Sequence, residues 1–114
     1  MAKAEQQIQS AIMEWLAIHN IWCRRLNTGA VKVDKRFFRF GSVGMGDIIC
    51  TPVKLEKVGP WLMEYPVILW LEVKTDTGRQ SKGQIQFMDE VRKAGHHYAL
   101  VRSIDDVEDV LKEI

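Results

Sequence analysis

Five consecutive apolar residues, Val67-Ile68-Leu69-Trp70-Leu71, run without a break into Glu72-Val73-Lys74. A short apolar run of this kind reads as a central strand buried on both faces. Side chains alternate along a strand, so Glu72 and Lys74 project from one face and Val73 from the other. A carboxylate and an ammonium therefore emerge side by side at the end of a rigid, buried element. The rest of the chain has to cover both faces of this strand.

The periodicity elsewhere supplies that cover. From Ala4 to His19, the residues Ile8, Ala11, Ile12, Trp15, Leu16 and His19 recur at three- and four-residue steps, which predicts an amphipathic helix ending at Asn20. Glu5, three residues before Ile8, falls on the same inward stripe, where a carboxylate is costly unless paired or metal-bound. Ile21 to Leu26 reads as a strand, Asn27-Thr28-Gly29 as a turn, and Val31 to Phe40 as further strand. A loop with glycine at 41, 44 and 46 leads into Asp47 and the apolar Ile48-Ile49-Cys50, so Asp47 opens a buried strand. Pro52 to Pro66, with Gly59 and Pro60 in its middle, reads as a hairpin or long loop. Thr75 to Gln80 is a polar loop. Ser81 and Gln84 match a capping box. The helix behind it turns Ile85, Phe87, Met88, Val91 and Ala94 inward and stops at Gly95. Tyr98 to Val101 is a short strand, and Ser103 caps a last helix carrying Val107, Val110, Leu111 and Ile114 on one stripe. Trp15, Trp22 and Trp70 are expected in the core and Trp61 outside it. His96-His97 reads as turn surface. This order of elements predicts a single α/β domain over 1–114, with a mixed central sheet flanked by helices.

Length and composition exclude the other classes. At 114 residues the chain is one domain's worth, and 46% apolar with 27% charged residues is a globular composition. The longest apolar run is far short of the ~18–20 residues of a membrane helix, and the polar Met1–Ser10 is no secretory signal. Cys23 and Cys50 have no metal-ligand spacing and read as buried thiols. The net charge is only +1, but it is unevenly spread. Arg24, Arg25, Lys32, Lys35, Arg36 and Arg39 give one stretch a local +5, whereas Asp105 to Glu113 carries −4. Such polarity fits either a polyanion site or a pair of solvated faces.

Chemistry concentrates on Asp47, Glu72 and Lys74, with Glu5 as a candidate third acid. Two carboxylates 4 Å apart repel by about 4 kcal/mol at an effective dielectric near 20. Such a cluster needs a cation, and an all-oxygen set without His or Cys favours Mg²⁺ or Mn²⁺. A metal so held polarises a phosphoryl oxygen and acidifies water, and Lys74 can assist the nucleophile or stabilise an anionic transition state. That is equipment for phosphodiester hydrolysis. Each residue has a plainer role too: Gln84 as the partner of Ser81, Glu5 as a first-turn acid suiting the helix dipole, Lys74 as a solvated strand end, Asp47 as a turn residue. The basic residues suit phosphate contacts, and nothing resembles a base-reading helix or zinc finger.

The motifs, taken together, resemble the VRR-NUC type of the PD-(D/E)XK nuclease superfamily. The resemblance rests on Glu5-x-x-Ile8-Gln9, Asn27-Thr28-Gly29-Ala30, Arg36-Phe37-Phe38-Arg39-Phe40-Gly41, Gly46-Asp47-Ile48-Ile49 and Leu71-Glu72-Val73-Lys74. It continues through Gly78-Arg79-Gln80-Ser81-x-x-Gln84 and Tyr98 to Ser103. It implies a restriction-endonuclease-like core in which Asp47, Glu72 and the Val73 carbonyl hold the metal. Lys74 is then the catalytic lysine, Gln84 an active-site residue and Glu5 an additional acid, and Arg79 joins the basic residues that meet DNA. The resemblance further implies a metal-dependent endonuclease acting as a homodimer on branched DNA, four-way junctions included, in the cytoplasm of a bacterial cell, encoded by a bacterium or a phage. The alternatives are a catalytically silent DNA-binding or assembly module of the same fold, and a flap or repair nuclease. The segment between Asp47 and Glu72 is longer than the short hairpin expected of this type, which makes Pro52–Pro66 a candidate dimer arm or DNA-facing loop.

Overall fold

The computed structural model describes residues 3–26, 29–40 and 44–114, and of residues 3, 29–33 and 36–40 the backbone alone. The elements in chain order are α1 (Lys3–Ile18), β1 (Cys23–Arg25), β2 (Gly29–Val33), β3 (Arg36–Phe40), β4 (Ile48–Cys50) and β5 (Val53–Val58). They continue as β6 (Trp61–Pro66), β7 (Leu69–Val73), α2 (Lys82–Lys93), β8 (His97–Val101) and α3 (Ile104–Glu113). Among the described residues no helix is long and apolar enough to cross a membrane.

Four strands form the central sheet in the order β1-β4-β7-β8. The β1–β4 and β4–β7 pairs are antiparallel and β7–β8 is parallel, so the sheet is mixed, as predicted. The parallel pair requires a crossover, which α2 provides. β7 is an inner strand: Leu69, Leu71, Glu72 and Val73 are all buried. Leu69, Leu71 and Val73 face α1 and α3, forming one core with Ile12, Leu16, Ile48, Cys50, Val101 and Val107. On the opposite face Trp70 and Tyr98 meet Phe87 of α2 edge-on, with ring centroids 5.0 and 6.2 Å apart. Both faces of the sheet are therefore covered, and the charged end of β7 lies under α2.

The helix ends follow from local chemistry. Asn20 adopts a left-handed conformation (φ 59°) and closes α1, with Ile21 N–H donating to the Leu16 carbonyl at 2.9 Å. The Ser81 capping box forms: Gln84 N–H donates to Ser81 Oγ at 3.2 Å and Ser81 N–H to Gln84 Oε1 at 2.8 Å. Ser103 caps α3, accepting from Asp106 N–H.

Several expectations need correction. The stretch 31–40 is not one strand but the arms of the β2–β3 hairpin, turning at Asp34-Lys35, where Asp34 tolerates φ 58°. Ala11 and His19 are exposed. The inward line of α1 runs Glu5, Gln9, Ile12, Leu16, which leaves Ala11 about a third of a turn away. Ile85 is likewise exposed, because the inward line of α2 passes through Gln84, Phe87, Met88 and Val91; Ala94, at the C-cap, is exposed as well. Trp22 is half exposed beside the edge strand β1, with the Arg24 guanidinium 4.8 Å above its ring. Trp15 and Trp70 are half-buried. His96 is exposed, but His97 belongs to β8, half-buried, its N–H donating to the Ile68 carbonyl. The expected turn residues Asn27 and Thr28, and Gly41 of the glycine loop, lie outside the described residues. Cys23 and Cys50 are buried free thiols, as expected; burial pushes Cys50 up to about 12.

Candidate active site

The site is built where the N-terminal end of β4 meets the C-terminal end of β7. Asp47 is locked into the sheet by its backbone: its N–H donates to the Leu71 carbonyl at 2.9 Å, and its own carbonyl accepts Leu26 N–H at 2.8 Å. Its side chain reaches forward, and Oδ2 accepts the Val73 N–H at 2.7 Å. The N–H and C=O of one strand residue point to the same side. The Val73 carbonyl is thereby directed toward Asp47, the orientation its proposed role as a ligand requires.

Glu72, the neighbour of Val73, is 1% exposed. Burial is the largest force raising its pKa, and the Asp47 carboxyl, within hydrogen-bonding reach, adds to it. Lys74 and the Tyr98 hydroxyl act in the opposite direction. Two carboxyl groups thus lie together, Glu72 buried and Asp47 half-buried, with the Lys74 ammonium compensating part of their charge. Lys74 is half-buried, and its backbone N–H donates to the Val101 carbonyl, extending the β7–β8 ladder past Val73.

Loops fix these groups. Gly44 (φ 78°) lies in backbone contact with the first turn of α2: a Cβ there would come within 2.2 Å of the Gly83 carbonyl. Only glycine allows the chain leading to Asp47 to cross α2 so closely. Gly78 packs against the Lys74 stem, where a Cβ would sit 3.2 Å from Lys74 Cβ and Cδ. Arg102 clamps this loop, donating to the Thr75 and Gly78 carbonyls.

The donor set suits a hard divalent cation: two adjacent carboxyl groups, with the main-chain carbonyl of Val73 on the Asp47 side of β7, all oxygen. Among the described residues no group of three or more His, Cys, Asp or Glu side chains is close enough to hold a metal. A two-carboxylate site of this kind matches Mg²⁺, which keeps several waters and borrows phosphate oxygens from its substrate.

Of the residues predicted from sequence, the structure brings Asp47, Glu72, Val73 and Lys74 together. Gln84 lies on the inward line of α2, but its Oε1 is engaged in the capping box. Glu5 is half-buried on α1, the helix that covers the other face of the sheet, and does not join the two acids. Arg24 and Arg25 are exposed; Arg24 donates to the Cys23 carbonyl at 2.8 Å and Arg25 to Ser10 Oγ at 3.0 Å. Lys35 at the β2–β3 turn and Arg79 before α2 are exposed too. The side chains of Lys32, Arg36 and Arg39 lie outside the described residues.

Three polar residues were missed. Tyr98 donates to Glu72 Oε1 at 3.4 Å, and Gln80 Nε2 donates to the Tyr98 hydroxyl at 3.2 Å. Their signal was register: Tyr98 pairs with Trp70, whose face Glu72 shares. Gln9 is fully buried with neither amide atom bonded. Its signal was the four-residue step from Glu5, which places it on the inward line of α1.

Comparison with known proteins agrees with this geometry. A solved structure titled "VRR_NUC domain" superposes with a TM-score of 0.63 over 97% of each chain at 19% identity, which shows a shared fold. No curated protein matches the chain. The sequence profile of the VRR-NUC domain matches residues 3–105 and so takes in every element that builds the site. On that match the chain belongs to the VRR-NUC domain family, a family of nucleases.

Proposed function

We propose that this protein is a Mg²⁺- or Mn²⁺-dependent endonuclease that hydrolyses DNA phosphodiester bonds and prefers branched DNA. The observation that carries the reading is the Asp47–Glu72 pair: two carboxyl groups packed together at the end of an inner strand, Glu72 fully buried, repel when both are ionised unless a cation joins them. Asp47, Glu72 and the Val73 carbonyl would hold that ion. When bound, it supplies charge neutralisation and Lewis-acid polarisation of a phosphoryl oxygen. Lys74 shares a face with Glu72, so its ammonium is placed to orient the attacking water and to stabilise negative charge as it develops on the phosphoryl oxygens. The Val73 N–H fixes Asp47 Oδ2, so the carboxylate needs little reorganisation during the reaction. Gln84 would act from the margin of the site through the amide nitrogen its cap leaves free, whereas Glu5, on the other face of the sheet, would act only if α1 brought it to the site. Arg24, Arg25, Lys35 and Arg79, with Lys32, Arg36 and Arg39, would meet phosphates and position the duplex without reading bases.

The β5–β6 hairpin supports a homodimer. It pairs strand on strand and is not laid on the central sheet. Leu55, Val58, Trp61, Leu62 and Met63 are exposed along it, Trp61 by 71%. A two-stranded hairpin alone is marginal in water. Its register puts Val58, Trp61 and Met63 on one face and Leu55 and Leu62 on the other, and exposed apolar side chains on both faces suit association. A two-fold dimer built on it would carry two equivalent sites, matching the symmetry of a four-way junction. A panel of end-labelled linear, flap and four-way substrates tests the reading. Paired nicks in the junction, with linear duplex cut more slowly, are expected; equal cutting of all three contradicts the preference for branches.

A further inference from the structure

Glu72 is held from a direction that the metal-binding reading does not use. Its Oε1 accepts from the Tyr98 hydroxyl at 3.4 Å, and that hydroxyl accepts from Gln80 Nε2 at 3.2 Å. The same Nε2 faces Met88 Sδ at 3.8 Å. These contacts settle the orientation of the chain of bonds. A flipped Gln80 amide would set its oxygen against a thioether, an acceptor against an acceptor, so the nitrogen faces both partners. An amide N–H can only donate, so it occupies a lone pair of the Tyr98 oxygen. The one hydroxyl proton is then free to point at Glu72.

The elements that carry this chain are fixed independently. Tyr98 is 5% exposed on β8, paired in register with Trp70 of β7 and packed against Phe87 of α2. Gln80 immediately precedes the Ser81 cap of α2. A buried carboxylate that must present itself to a cation gains from a partner that removes its rotational freedom, and such outer partners tune affinity at metal sites generally.

We propose that Tyr98, oriented by Gln80, is a positioning residue for Glu72, and that this two-bond support sets the affinity of the site for a divalent cation. The proposal rests on the reading of Asp47 and Glu72 as cation ligands. It also links the cation to the start of α2, because Gln80 is bonded directly to the Ser81 cap.

The test is Mn²⁺ binding to the DNA-free protein, measured by electron paramagnetic resonance of the free ion, for wild type, Tyr98→Phe, Gln80→Ala and the double variant. Thermal melting of the metal-free proteins checks that each is folded. Tyr98→Phe is expected to weaken Mn²⁺ binding about tenfold or more. Gln80→Ala should weaken it less, and the double variant should be no weaker than Tyr98→Phe, because Gln80 acts only through the hydroxyl. DNA affinity without metal should be unchanged in all three. Wild-type Mn²⁺ affinity in folded Tyr98→Phe overturns the proposal, as does a double variant showing the full sum of the two losses. If Tyr98→Phe does not fold, Gln80→Ala decides alone: wild-type affinity there overturns the proposal. Failure of the wild type itself to bind Mn²⁺ removes the metal reading, and this inference falls with it.

Discussion

β7 and the β5–β6 hairpin are neighbours in sequence and both carry large apolar side chains, yet they live in opposite environments. Leu69, Leu71 and Val73 are at most 1% exposed, whereas Leu55 and Leu62 are 60% and 64% exposed. The difference lies in what each strand pairs with. β7 has β4 on one side and β8 on the other, with helices over both faces. The hairpin pairs only with itself. Rigid burial is what catalysis needs, because it holds two carboxyl groups together against their repulsion and keeps Lys74 beside them. Exposed apolar surface is what association needs. The account therefore assigns chemistry to the sheet and assembly to the arm, and each assignment can be broken separately.

The largest expected effect is on the sheet. Lys74→Ala should lower the cleavage rate by about 10²- to 10⁴-fold, the range for loss of a positioned proton-transfer or charge-stabilising group. DNA affinity should change little, because it comes from many phosphate contacts. Single-turnover cleavage and a binding titration on the same protein separate the two. Cleavage at the wild-type rate would remove Lys74 from the mechanism.

The arm comes next. Trp61→Glu combined with Leu62→Lys should weaken dimerisation by roughly 30-fold or more, the loss expected when an interface anchor of about 2 kcal/mol is removed. Sedimentation velocity reads the change. Far-UV circular dichroism should stay as in the wild type, since neither side chain enters the core. An unchanged sedimentation coefficient would take the hairpin out of the interface.

A smaller effect concerns stability. The folded-state pKa of Glu72 is raised above its ordinary 4.5, so without metal the native state holds this proton more tightly than the unfolded chain does. The stability this contributes is fully present below about pH 4.5 and is lost as pH rises toward the raised value. Metal-free protein should therefore melt lower at pH 8 than at pH 5.5, and Glu72→Gln should flatten that slope while raising the pH 8 melting temperature by about 4–8 °C per kcal/mol recovered. A melting temperature that rises with pH in wild type but not in Glu72→Gln would contradict the buried-pair description.

Much of the fold was legible because the relevant signals are local. The strand ending in Glu72-Val73, the Ser81 and Ser103 caps and the Asn20 stop each depend on a few adjacent residues and are found where the pattern put them, except that β7 starts at Leu69 and leaves Val67 and Ile68 half-buried ahead of it. The glycine before Asp47 was legible as a loop, but its reason was not: Gly44 is required by Gly83, 39 positions away in sequence. The misreadings on the helices share one cause. Ala11 and Ile85 are apolar, and apolar character was counted as inward even where the helical line passes through Gln9 and Gln84 instead. The break at Asp34-Lys35 was hidden because Asp is a good strand-turn residue only in a conformation that composition does not reveal. Tyr98 and Gln80 reach Glu72 through β-sheet register and a loop, neither of which short-range periodicity encodes.

The central claim is that Asp47 and Glu72 form a cation-dependent hydrolytic site, and the most direct measurement is DNA cleavage by wild type and Asp47→Asn in Mg²⁺, in Mn²⁺ and in excess chelator. The account predicts cutting by wild type with either metal, none in chelator, and none by Asp47→Asn under any condition. Full cleavage in chelator, or by Asp47→Asn with Mg²⁺, would contradict it.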